Sequence, residues 1–157
     1  MNTVTRYIAH IKQPGIVVHI VVHRDAVKMT VDGLEVFNVT QIAQNFTNAA
    51  LGCYIGYITI PQINDDVLKA FITTPCANPN MKQQGWIHMV TFSAFDYVPL
   101  GNYVSGKSPI IYKERYKLLQ EKIPMRNKVK LLLGHKTAYE TLGDELEYVP
   151  ENNLWEK

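Results

Sequence analysis

The chain has 157 residues, 46% of them hydrophobic and 19% charged, with a formal net charge of +2. That content supports one hydrophobic core and gives no sign of disorder, while the charge is too mild to point to nucleic-acid binding, so no long nucleic acid is expected as a partner. Cys53 and Cys76 are too few for a disulfide scaffold, and the apolar run GIVVHIVVH is far shorter than a membrane span, so the expectation is one cytoplasmic domain over 1–157 with no membrane partner.

In chain order, TRYIAHI and GIVVHIVVH are rich in β-branched and aromatic residues and read as strands. AVKMTV and LEVFNV flank Asp32-Gly33, a pair that supplies the positive φ angles of a tight hairpin turn. CYIGYITIP is the next strand. Asn64 followed by Asp65 and Asp66 predicts a capped helix in NDDVLKAFI. WIHMVTFSAF reads as a strand, Ser108-Pro109 opens a second helix in SPIIYKERYKLLQEK, and KVKLLLG and ELEYV close the chain as strands. The expected fold is mainly β with two short helices (α+β), closed or sandwiched.

GNYVSGKS at 101–108 matches the phosphate-loop pattern G-x-x-x-x-G-K-[ST]. Such a loop leaves a buried parallel strand directly, whereas Pro99 stands two residues before Gly101 and no apolar run ending in Asp follows. A phosphate-loop nucleotide-binding protein is therefore the lesser alternative. His19 and His23, four apart, have no third ligand nearby, so no metal is expected. His135 in GHKTAY has the His-x-Thr spacing of another phosphoesterase class, but His88 in WIHMVTF lacks it.

Charge is unevenly spread. From Lys107 to Lys136 nine Lys and Arg face only Glu114 and Glu121, a surface suited to a small polyanion. A phosphodiester beside a free ribose hydroxyl can be cleaved without metal if one group removes the hydroxyl proton and another protonates the leaving oxygen. His10 and the YKERYK segment hold residue types fit for that work, with lysine stabilising the growing charge.

Four blocks, HIKQPGIV, CYIGYITIP, IHMVTFSAF and NYVSGKSPIIYKERYKLLQEK, resemble in order and spacing the poxins, viral and insect nucleases that degrade the cyclic dinucleotide 2′,3′-cGAMP and blunt STING signalling. The resemblance implies a β-barrel of chymotrypsin-like protease type, a homodimer, no cofactor, and attack of a ribose 2′-OH on the 3′–5′ linkage. It carries His10, Tyr112 and Lys117 over as catalytic residues, with Lys113 as the alternate lysine; the basic segment, through Lys107, Lys113 and Arg126, is expected to hold the substrate phosphates. His10 stands four residues before Pro14 where the family has three. Tyr112 and Lys117, five apart, would share a site if the helix began after Tyr112. A non-catalytic cyclic-dinucleotide sponge or a viral structural protein is the alternative.

Overall fold

The structure is a computed structural model, described here for residues 5–137 and 145–157. The chain opens with β1 (Tyr7–Ile11), β2 (Ile16–Val22), β3 (Val27–Val31) and β4 (Leu34–Glu35), followed by a short α1 (Gln41–Gln44) and β5 (Gly52–Thr59). Next come α2 (Asp65–Thr73), α3 (Met81–Met89), β6 (Thr91–Val98), α4 (Leu100–Ser105) and β7 (Lys107–Ser108). The chain ends with α5 (Tyr112–Lys122), β8 (Val129–Leu131), β9 (His135–Thr137), β10 (Leu146–Pro150) and β11 (Trp155–Glu156).

A mixed six-stranded sheet in the order β4-β3-β2-β5-β6-β8 is the frame. Its strands are antiparallel except for the parallel β6–β8 pair. Alternation along β2 assigns its two faces: Val18, Ile20 and Val22 enter the main core with Phe46, Tyr54 and Phe92, while Val21 joins Cys53, Ile55 and Val98 in a second cluster, against which Leu100, Tyr103 and Trp155 pack. A smaller sheet, β10-β1-β9, is antiparallel throughout and joins the two ends of the sequence.

The α+β, mainly β reading holds, with more helix than expected. Both larger sheets are open among the described residues, so the closed barrel implied by the poxin resemblance is not formed by these strands. At the hairpin, Asp32 and Gly33 both have positive φ, 50° and 79°, the backbone that the Asp-Gly pair predicts. Asn64 caps α2 by accepting the Val67 N–H at 2.9 Å. WIHMV, expected in a strand, is mostly helical: Asn80 and Gln83 form a reciprocal capping box that starts α3, and the strand begins only at Thr91. Ser108-Pro109 does not open α5; Ser108 lies in β7 and the helix starts at Tyr112. No helix of the described residues is long and apolar enough to cross a membrane.

Candidate functional site

The β5–β6 pairing breaks at one place, and the site is built on that break. The register steps from Ile55↔Asp96 to Gly56↔Ala94, leaving Phe95 as the extra residue of a β-bulge. Bulges bend a strand and re-aim a side chain. Gly56 permits this one: a Cβ there would lie 2.4 Å from the Ser93 carbonyl oxygen, closer than any side chain tolerates. The released Phe95 ring packs between His10 and Tyr57, at centroid distances of 5.6 and 5.1 Å.

His10 arrives from the small sheet. Directly opposite it on β10 stands Glu147, so the two side chains share a face. Glu147 accepts a 2.8 Å hydrogen bond from the Tyr57 hydroxyl, and burial, followed by this carboxylate, pushes the phenol far above its ordinary value. The same Glu147 oxygen is 4.0 Å from His10 Nε2, beyond hydrogen-bonding range. His10 is 1% exposed and its Nε2 has no hydrogen-bond partner, while Nδ1 lies 3.5 Å from the Ile11 carbonyl oxygen. A buried, unsatisfied polar atom costs about 1–3 kcal/mol. Exposed Lys12 stands two residues on, and its N–H donates to the Glu145 carbonyl as the chain crosses from the small sheet to β2.

The proposed catalytic triad is only partly assembled. Tyr112 is 1% exposed and its hydroxyl donates to the Phe95 carbonyl, which places it behind the Phe95 backbone. Burial raises this phenol far above its ordinary value, so it keeps its proton and does not serve as the base that removes the ribose hydroxyl proton. Because α5 begins at Tyr112 as regular helix, Lys117 points about 140° away from it. The loop tyrosine that would have reconciled them is absent. Lys117 lies instead with Lys113 around a recess between α5 and β9. Arg126 lines a different recess together with Lys122, and Lys107 is an exposed β7 residue paired in register with Glu156. The expected substrate-binding cations therefore do not converge on His10.

In GNYVSGKS, residues up to Ser105 belong to α4, and the Tyr103 and Gly106 N–H groups donate to helix carbonyls. The Ser108 hydroxyl is buried and donates to Asn102 Oδ1 at 3.1 Å. Amides spent inside a helix do not cradle a phosphate. Among the described residues no group of three or more His, Cys, Asp or Glu side chains could hold a metal ion. Of the site, sequence reasoning found His10 and missed Tyr57, Phe95 and Glu147. Their blocks were visible as strands, but the bulge and the β1–β10 register that unite them carry no local signal.

No protein-family model matches the chain, and no curated protein does. Solved structures do. One named "Pmar-Lig_PreS3" is 14% identical with a TM-score of 0.72 over 98% of this chain, and "Pmar-Lig_Pre." is 14% identical with a TM-score of 0.71 over 99%. The ATP-dependent DNA ligase from bacteriophage T7, in complex with ATP, is 12% identical with a TM-score of 0.55 over 86% of this chain. This chain spans 40% of the length of the first two and 50% of the third. At these identities the likeness is one of fold.

Proposed function

We propose that the chain is a nucleotide-binding module that takes an adenine nucleotide at the junction of the two sheets. The observation that carries this reading is the orphaned His10 Nε2, buried beside the Phe95 ring, on which the Tyr57 ring packs in turn. It is supported by the fold shared with a ligase solved with ATP. An imidazole nitrogen with no protein partner can donate to or accept from a base edge. Aromatic rings add about 1–3 kcal/mol per stacked base. Glu147, whose side chain is 38% exposed, has further acceptor capacity for an amino or ribose hydroxyl group, and exposed Lys12 supplies a cation near the sheet crossing. Because His10 is buried with the Phe95 ring against it, binding includes rotation of Phe95 away from His10.

Isothermal titration with ATP tests this. His10→Leu, which keeps the volume but removes Nε2, is expected to weaken ATP at least about tenfold, as loss of one hydrogen bond in a buried site would. Unchanged affinity in that variant, or no saturable heat from the native protein, defeats the reading.

The cyclic-dinucleotide nuclease implied by the poxin resemblance is the second reading. One observation favours it: Tyr112 bonds the backbone of the residue whose ring covers His10, so two of the three proposed catalytic residues meet at Phe95. It carries with it the protease-type barrel, a closure absent from the strand order of the described residues. Linear product from 2′,3′-cGAMP in the presence of chelator would establish it; intact substrate after prolonged incubation with stoichiometric protein would end it.

A further inference from the structure

A second site lies on the outer side of α5. Tyr112, Arg115, Tyr116 and Leu119 form the buried stripe of this helix, which leaves Lys113 and Lys117, four apart, together on the exposed face. Like charges at that spacing repel. Lys136 adds a third cation: it pairs with Ile8 across β1 and β9, so both side chains stand on the same face of the small sheet, toward α5. The three lysines line a recess of about 150 Å³ whose floor includes Ile8 and Gly134.

The recess is held in shape from below. The Tyr116 hydroxyl accepts the Gly134 N–H at 2.8 Å and donates to the Leu132 carbonyl at 2.7 Å, tying the β8–β9 connection to the helix. A Cβ at 134 would lie 2.5 Å from Ile8 Cγ2, so any side chain there would force the buried Ile8 to shift. Among the described residues none of the three lysines has a carboxylate within salt-bridge distance, although Glu114 also lines the recess. Three cations and one anion leave a local charge of about +2, matching the −1.5 to −2 that a phosphate monoester carries at pH 7. A carboxylate, with one charge, would leave the lysines half neutralised.

We infer that this recess binds one phosphate group, held by Lys113, Lys117 and Lys136. The inference does not rest on the nucleotide reading of the sheet junction. Two sources can supply such a group: free phosphate, or the phosphate end of a nucleotide whose base lies at His10, two residues along the same face of β1 from Ile8.

The test is an amide NMR titration with inorganic phosphate at ionic strength fixed with chloride, repeated with ADP. Saturable shifts confined to α5 and the Gly134–Lys136 segment are expected, weakened at least about tenfold in Lys117→Ala and unchanged in Lys130→Ala, an exposed lysine outside the recess. If ADP binds more tightly than phosphate and also moves Tyr57 and Phe95, the nucleotide is the source. If ADP binds no more tightly and those residues stay still, free phosphate is the ligand, and the nucleotide reading fails alone. Non-saturating shifts, or equal weakening in the two lysine variants, would overturn the proposal.

Discussion

Adjacent residues of one bulged strand serve two buried polar clusters that are finished to different degrees. Asp96 accepts Arg115 Nε at 2.9 Å and Nη2 at 3.2 Å, and the rest of the guanidinium donates to the Ile110 and Asn153 carbonyls and to Asn153 Oδ1. Burial pushes the Asp96 carboxyl upward, and the bonds from Arg115 and the Tyr97 amide oppose that shift. Phe95, one residue earlier, faces His10, whose Nε2 is buried with nothing to bond. Ordinary interiors satisfy their polar groups. A molecule that satisfies one such cluster completely and leaves its neighbour open distinguishes scaffold from site: the ion pair fixes α5 and the C-terminal segment against β6, whereas the histidine keeps bonding capacity in reserve.

Breaking the finished cluster carries the largest expected effect. Arg115→Ala leaves Asp96 as a buried charge without its partner and should cost about 3–5 kcal/mol in urea unfolding. The double replacement Asp96→Leu with Arg115→Met should recover most of that loss, since no buried charge then remains. Gly56→Ala comes next. Its methyl group meets the Ser93 carbonyl, so overpacking at the bulge should cost about 1–3 kcal/mol and displace Phe95, with a fall in nucleotide affinity as the second readout.

The open cluster should respond in the reverse sense. His10→Leu removes the unsatisfied Nε2 and only the long 3.5 Å contact of Nδ1 with the Ile11 carbonyl, so its unfolding free energy should stay within about 1 kcal/mol of native or rise, even as nucleotide binding weakens. A large destabilisation would mean that His10 is ordinary scaffold.

The smallest effect belongs to His19, which bonds the Tyr103 hydroxyl at 3.2 Å outside both clusters. Burial, followed by the Lys157 ammonium, holds its pKa below the ordinary 6.5, against a smaller opposing effect of Asp32. The unfolded chain then binds the proton more readily, so the stability contributed by neutral His19 is present above 6.5 and is lost as pH falls through the lowered value. Urea midpoints measured from pH 7.5 to pH 5 should decline less steeply in His19→Gln than in the native protein.

What the sequence revealed was local. The Asp32-Gly33 turn and the Asn64 cap depend on a few consecutive residues, and both stand where expected. The strand-like composition of WIHMV lost to a capping box at Asn80 and Gln83 and to the packing of Trp86 on Phe71, at a centroid distance of 5.1 Å. Tyr112 and Lys117 are paired only by the poxin resemblance, and they share a site only if the helix begins after Tyr112; a start at Tyr112 separates them. The small sheet draws β1 from one end of the chain and β9 and β10 from the other, so the meeting of His10 with Glu147 depends on a register that no nearby residue announces. His10 was legible as a candidate from its residue type. Its aromatic and acidic neighbours were not, because a one-residue bulge in β6 brings them together.

The most direct test of the sheet junction as a nucleotide seat is the ¹⁵N chemical shift of His10 Nε2, followed as ATP is added to saturation. The expected result is a saturable movement of that nitrogen as it gains its missing hydrogen bond, with His19 and His23 on and beside β2 unmoved. Saturable ATP binding that leaves His10 Nε2 at its free-state shift would contradict it.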